Sequence, residues 1–347
     1  MINEILVEPQ HIVWLPWIVN YFFFVGIAAT AVFTAIFFAT KSKQPSIGEL
    51  SAMTIAFICS IVAPVALTAD LHQPSRILHF YTDFAWWSPM AWGAIILPLF
   101  SIAIAGHFIL LLARNAKPNQ AKWLTWLHYP LFQKNTLLWF FRLFSAITAV
   151  GIIIYTVLET YQTGTRALWH NAWLLPVMLF SAWVAALGLT KWLKHILYQY
   201  QSEVSSTENW LNIAIKAALI FSAISLLALN FSNEQTQIDF AQLFNGSITA
   251  YLMIGFWLVA LIFSFLTKFN YLQLIAILSF SWLVRWVLII QAQTIDKTNV
   301  MQNPYHFDWF DTDGGLGSIA IFGLAIFVSI IVWQGVLMIL GGNKNGQ

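Results

Sequence analysis

Little charge and almost no cysteine narrow what this chain can be before any pattern is read. Charged residues make up 9% of its 347 residues and hydrophobic ones 59%, whereas a soluble domain carries roughly 25% charge. A water-soluble globule is excluded. The lone cysteine, Cys59, excludes an iron–sulfur cluster within the chain, because such clusters take about four thiolates; it reads as a small apolar packing residue. Histidine is also scarce inside the long apolar runs. Only His107 lies well within one, so the histidine pairs that would hold a membrane b-haem are missing, and His107 reads as a hydrogen-bonded core or interfacial residue. We therefore expect no haem, no metal site and no nucleic-acid partner.

What is present is apolar length. Runs of about 17 to 25 residues cross a bilayer as helices, and nine are found: Trp14 to Thr40, Ile47 to Ala69, Pro89 to Leu112, Leu137 to Glu159, Ala172 to Leu193, Trp210 to Asn230, Ser247 to Thr267, Tyr271 to Gln291 and Leu316 to Leu340. They are continuous and lack the alternation of membrane strands. The fold class expected is all-α, a polytopic membrane protein with nine transmembrane helices. The first run is too long for a signal-peptide core and is preceded by no basic residue, so it reads as a retained helix. The longest connections, Asp70 to Ser88, Ala113 to Thr136 and Ala292 to Gly315, are too short for an independent core. A single transmembrane domain over 1–347 is expected.

Basic residues set the orientation. One set of connections carries Lys41, Lys43, Arg114, Lys117, Lys122, Lys134, Lys191, Lys194, Lys268 and Lys344; the other carries Arg76, Arg166 and Lys297. The positive-inside rule makes the first set cytoplasmic, with the N-terminus outside and the C-terminus inside. Tryptophans near the span ends read as interfacial anchors: Trp14, Trp17, Trp86, Trp87, Trp169 and Trp173 outside, Trp123, Trp126, Trp192 and Trp210 inside.

Most polar residues able to do chemistry gather at the outer end. Asn20 lies about six residues into the first span, roughly 9 Å below its start, and Arg285 lies at a similar depth in the eighth. Tyr155 and Glu159 close the fourth span with a spacing that puts them on one helical face. Asp70 ends the second span, Arg76 and His79 follow in the loop, and Arg166 precedes the fifth. Charges inside a span normally face a partner or a wet cavity. Each has a plainer reading: Asp70 as a cap or partner of Arg76, Asn20 as a bond between helices, Arg285 as a side chain snorkelling to the interface or a counter-charge to Glu159. Arg142, near the inner start of the fourth span, reads as a snorkelling anchor.

These residues carry a family resemblance. Asp70-Leu-His-Gln-Pro-Ser-Arg76, His79-Phe-Tyr and Ser88-Pro-Met-Ala-Trp92-Gly93 resemble the loop and third-helix entry of the NrfD, or polysulfide reductase membrane subunit, family. Tyr155-Thr, Arg166-Ala-Leu-Trp169, Leu175-Pro176, Ser181 and Leu-Val-Arg285-Trp resemble its later motifs. Within the family, Trp14-Leu-Pro-Trp17, Asn20-Tyr-Phe-Phe-Phe-Val-Gly26, Gln291-Ala-Gln293-Thr, Asn303-Pro-Tyr305 and Thr312-Asp-Gly314 resemble the membrane anchors of tetrathionate reductases. Val157 and Ala167 depart from common family residues, which bears on the pocket's shape.

The resemblance implies a bacterial inner-membrane subunit that oxidises a quinol, menaquinol or ubiquinol, at the periplasmic face. It implies two partners, a periplasmic 4Fe–4S iron–sulfur subunit and a molybdopterin catalytic subunit reducing tetrathionate. A quinol needs lipid for its tail, hydrogen bonds for its head and acceptors for two protons. On that reading Glu159 is the first proton acceptor and Asp70 or His79 the next relay. Tyr155, Asn20 and His79 bind head-group oxygens, Arg285 and Arg166 stabilise developing negative charge, and Arg76 aids the site or partner docking. A polysulfide-reductase-like anchor for another molybdoenzyme and an anchor without a quinol site are the alternatives. A transporter would place polar groups near the midplane. Because the inner halves offer little beyond His107 and Arg142, turnover is expected to build no membrane potential.

Overall fold

An apolar run in hydrocarbon must satisfy its backbone internally, and a helix does so. The computed structural model describes residues 12–41, 45–71, 77–116, 122–163, 166–201, 208–265, 271–295 and 305–340. The helices are α1 (Pro16–Lys41), α2 (Ile47–Ala69), the short α3 (His79–Thr82), α4 (Pro89–Asn115), α5 (Asn135–Gln162), α6 (Leu174–Gln201), α7 (Glu208–Ala228), α8 (Glu234–Phe244), α9 (Ile248–Phe263), α10 (Tyr271–Trp286), the short α11 (Ala292–Thr294) and α12 (Gly315–Leu340). Among the described residues there is no strand. Among the described residues, eight helices are long and apolar enough to cross a membrane.

The expected seventh span is where sequence and structure diverge. It is α9, preceded by α8 at an angle of 84° across a short break. Polar Glu234, Gln235, Gln237 and Asp239 keep α8 out of hydrocarbon, and Asn233 caps it by accepting from the Thr236 amide at 2.8 Å. The polypeptide therefore turns before it enters the bilayer. Counting the bent pair as one span gives nine.

Helix α1 is the hub and packs against α2, α5, α6, α10 and α12. Its sequence allows this because Gly26, Ala28, Ala29, Ala31 and Ala35 let neighbouring backbones approach while Phe22, Phe23 and Phe24 fill the spaces between. A helix apolar on all sides belongs in the centre of a bundle. Helix α12 is equally apolar but peripheral, and most of its surface faces outward. Of the tryptophans expected as anchors, Trp86, Trp87, Trp126 and Trp173 are exposed. Trp169 is not an anchor: it is buried, stacks on Trp14 at 4.9 Å and donates its indole N–H to the Leu288 carbonyl at 2.7 Å.

Candidate functional site

At the outer end of α5 the helical spacing turns Tyr155 and Glu159 into the bundle, and both are buried. The Tyr155 ring lies directly on Gly93 of α4, where any Cβ would collide with its ring and hydroxyl. Glycine at that point is what admits the tyrosine. Tyr21, fully buried on α1, approaches the same place, and Tyr155 stands within electrostatic reach of both Tyr21 and Glu159. Asp70, at the C-cap of α2, faces Glu159 closely enough to feel its charge. Four elements thus bring two phenols and two carboxyl groups together.

Two atoms in this cluster are unusual. Glu159 Oε2 and the Tyr21 hydroxyl are buried, and neither meets a partner at full hydrogen-bond geometry among the described residues, although Tyr155 stands close to both side chains. An unmet buried polar atom costs about 1–3 kcal/mol, so the cluster keeps hydrogen-bonding capacity that the protein itself does not use. Sequence reasoning misses Tyr21 because it sits in an unbroken aromatic run, Tyr21-Phe-Phe-Phe24.

The other expected site residues lie around this cluster with their polar atoms engaged. Asn20 donates to Ser318 Oγ at 3.2 Å and accepts from Trp282 Nε1 at 2.9 Å, which fastens α1 to α12 and α10. Arg285 is 1% exposed. Its guanidinium donates to the carbonyls of Phe22 at 3.0 Å, Met178 at 3.1 Å and Ser281 at 2.5 Å, and to the Ser181 and Ser281 hydroxyls. No carboxylate is among these partners, so the reading of Arg285 as the counter-charge of Glu159 finds no support in its contacts. Gly26 leaves room for it: a Cβ there would lie 3.1 Å from Arg285 Nη2. Arg166 donates to the carbonyls of Ile295 and Gln293. Gln293 in turn accepts from the Val13 and Trp14 amides at 3.1 and 3.0 Å and donates to the Trp14 carbonyl at 2.9 Å. A π-helical turn, Val287–Gln291, follows Arg285; such turns are frequent at functional sites.

His79, at the start of α3, is exposed and 3.7 Å from Asp83. His170 stacks on Tyr161 at 4.0 Å. Arg76 lies outside the described residues. Beyond α11, the stretch from Phe307 to Asp313 is exposed and carries Asp308, Asp311 and Asp313. Burial, with Asp311 and Asp313 near, pushes the pKa of the Tyr305 hydroxyl up to about 12, so it stays neutral at any physiological pH.

A large apolar cavity lies elsewhere. About 1200 Å³ opens between α12 and the helices α1, α2, α6, α9 and α10, with walls such as Phe24, Trp282, Phe322 and Trp333. No carboxylate, histidine or basic side chain lines it. It suits hydrocarbon and offers no proton chemistry. Among the described residues no group of three or more His, Cys, Asp or Glu side chains could hold a metal ion.

The inner half holds what sequence reasoning misses. Glu49 of α2 is fully buried and accepts from Arg142 Nε at 2.7 Å and Nη2 at 2.6 Å. His107 Nε2 lies 3.1 Å from Glu49 Oε1, and its Nδ1 lies 3.0 Å from Ser145 Oγ. Arg142 is therefore not a snorkelling anchor; it is buried, and a carboxylate neutralises it inside the bundle. The inner half, expected to offer little beyond His107 and Arg142, holds Glu49 as well, bonded to both. Ser46-Ile-Gly-Glu49 has the form of a helix-capping box, and Ser46 Oγ does accept from the Glu49 amide at 3.1 Å. The Glu49 side chain, however, is turned into the bundle.

Comparison with known proteins places this arrangement. Residues 5–296 match the family described as "Polysulphide reductase, NrfD", and α12 lies beyond the match. The chain is 34% identical over 343 residues to a tetrathionate reductase subunit from Salmonella typhimurium (strain LT2), and the similarity extends over 96% of this chain and 94% of that one.

Proposed function

The chain belongs to the NrfD polysulphide reductase family, and from that premise we propose that it is the quinol-oxidising membrane subunit of a multi-subunit respiratory reductase. In this reading it sits in a bacterial inner membrane as one domain, with its active face periplasmic. It passes electrons to a periplasmic iron–sulfur subunit and on to a molybdopterin enzyme that reduces tetrathionate, the substrate for which the Salmonella relative is named.

One observation carries the quinol site: the unpartnered Glu159 Oε2 and Tyr21 hydroxyl beside Tyr155 at the outer end of the bundle. A quinol hydroxyl entering there finds a carboxylate to accept its proton and phenols to hydrogen-bond its oxygens. Oxidation releases two protons and two electrons. Glu159 takes a proton first, Asp70 stands next to it, and His79 with Asp83 lies at the exposed surface beyond. The electrons leave on the same side to the outer partner. Arg285 and Arg166 have their donors committed to main-chain carbonyls, so they act on developing negative charge through their field, with no direct contact required. Asn20 shapes the pocket through Trp282 and Ser318.

A structural anchor without a quinol site is the competing reading, favoured by the saturation of Asn20 and Arg285 with protein partners. Quinol-driven reduction by the purified complex decides. Electron transfer from quinol that is lost in Glu159→Gln, with artificial-donor activity of the catalytic subunit kept, supports the quinol site. No quinol-driven reduction by the unaltered complex leaves only the anchor.

A further inference from the structure

A groove of about 1200 Å³ lies between α12, which packs on α1, α2 and α4, and the helices α6, α9 and α10. A compact small-molecule site holds roughly 300–1,000 Å³; the excess here is length. The groove-lining positions of α12 run from Gly315 to Trp333, a rise of about 27 Å at 1.5 Å per residue, which is nearly the whole of the roughly 30 Å hydrocarbon core. A phospholipid chain ends near the bilayer midplane and fills half of such a groove. A single chain that fills it passes through both leaflets. Leu252, Ile319, Ile326 and Ile330 on its walls are exposed, so the groove opens sideways to lipid and a chain enters without crossing water.

The lining selects the head as well as the chain. It holds no charged side chain, and such surroundings reject a phosphate and admit a head without charge. Near the outer end, Ser318 Oγ accepts from Asn20 Nδ2 at 3.2 Å, while its own proton meets no acceptor among the described residues. Thr54 and Ser329, also on the groove walls, instead donate to carbonyls one turn back in their own helices, at 2.7 and 2.6 Å. Ser318 therefore keeps an O–H for a ligand oxygen. At the same end Trp282, Phe307 and Trp309 present aromatic surface to a flat ring. An uncharged ring bearing oxygens, on a chain longer than one leaflet, describes an isoprenoid quinone.

We propose that this groove is a second quinone site, in which the isoprenoid chain lies along α12 and the head rests at Ser318 and Trp282. The choice of a quinone among isoprenoid compounds rests on the role proposed above. The groove is a separate place from the Glu159 cluster: none of Tyr21, Asp70, Tyr155 and Glu159 lines it, and on α1 its walls are Phe23, Phe24 and Ile27. Asn20 ties α1 to α12 and α10 at the groove's outer end. The wall that α12 supplies lies beyond the residues matched to the family. With no carboxylate or histidine to exchange a proton, the groove holds a quinone without oxidising or reducing it, as a molecule in waiting beside the reacting site.

The test uses the complete complex in nanodiscs of phosphatidylethanolamine and phosphatidylglycerol, with a quinone whose isoprenoid chain carries a diazirine. After illumination, labelled peptides are mapped by mass spectrometry, and bound quinone is extracted and counted per complex. The expected adducts lie on groove-lining residues of α6, α10 and α12, in the unaltered complex and in Glu159→Gln alike. Gly323 lines the groove and has open space where a Cβ would stand, so Gly323→Phe fills the groove without a clash against the bundle. In that variant the groove adducts disappear and bound quinone falls by half. Gly335 has the same open surroundings off the groove, and Gly335→Phe should keep both. Adducts confined to the Glu159 cluster overturn the second site. So does a diazirine-bearing phosphatidylethanolamine that labels the same residues and is not displaced by quinone, and so do cross-links that place a second copy of the chain in the groove. Groove adducts in a complex with no quinol-driven reduction support the groove and remove the quinol-oxidising role; quinol-driven reduction without groove adducts does the reverse. The unaltered complex decides by its own adducts even if Gly323→Phe does not assemble.

Discussion

The Glu49 carboxylate and the Arg142 guanidinium meet as a two-pronged pair, Oε1 with Nε at 2.7 Å and Oε2 with Nη2 at 2.6 Å, across 93 positions of sequence. Both are buried, so each holds the other's charge in a place that water does not reach. Removing one member of such a pair strands the other, at a cost of about 3–5 kcal/mol, whereas replacing both by neutral groups is far cheaper. Arg142→Gln is therefore expected to lower the thermal midpoint of the detergent-purified protein sharply, and Glu49→Gln with Arg142→Gln to recover much of the loss. Additive losses in the double variant would show that the pair does not act as a unit.

Glu159 and Tyr155 are expected to matter for quinol turnover and little for assembly. A positioned acid–base group contributes about 10²- to 10⁴-fold, so Glu159→Gln should reduce quinol-driven reduction at least about 100-fold. Tyr155→Phe removes one hydroxyl and should cost less, showing mainly as a raised KM for quinol. Both variants should bind the partner subunits as before, measured by co-purification. Equal loss of assembly and turnover would assign these residues to packing.

Gly93 is expected to tolerate no side chain. A Cβ there overlaps the Tyr155 ring and hydroxyl, so Gly93→Val must displace the tyrosine or separate α4 from α5. Quinol oxidation should fall as far as in Tyr155→Phe or further. Because the nearest contacts are with the ring carbons, which phenylalanine keeps, Tyr155→Phe should not rescue Gly93→Ala. Normal turnover in Gly93→Val would mean that the tyrosine's position is immaterial.

Asn20 and Ser318 separate a brace from a ligand. If Asn20 works by fastening α12 to α1, then Asn20→Ala and Ser318→Ala should both loosen α12 and have similar effects on quinol KM. Hydrogen exchange over α12 reads the first and steady-state kinetics the second. A large KM increase confined to Asn20→Ala would show that its amide touches the quinol head itself.

The exposed stretch from Phe307 to Asp313 and the outer loop bearing Trp86 and Trp87 are expected to carry the partner. Asp308, Asp311 and Asp313 steer a basic surface, and rim charges of this kind act mainly on association rate. Asp308→Asn with Asp311→Asn should slow assembly and reduce its sensitivity to salt. Cross-links from the complex should fall on these loops. Cross-links concentrated at Lys41 and the other inner lysines would place the partner on the opposite face.

The amino-acid sequence alone determined that the chain is a multi-pass membrane protein and where its long helices run, because those properties depend on composition and on the length of apolar runs. It also singled out Tyr155 and Glu159, since a spacing of four places two residues on one face of any helix. Which residues meet across the bundle was decided only in three dimensions. Arg285 read as a charge awaiting a carboxylate, yet carbonyls from α1, α6 and its own helix take up its donors. Tyr21 read as one aromatic among four, and only the packing of α1 against α5 brings it to Glu159. Glu49 had a sufficient local explanation as a capping residue, and the partners that give it a different meaning lie 58 and 93 positions away. Local periodicity reports the face on which a residue lies; what that face touches depends on the order in which the helices pack, which no short stretch of sequence contains.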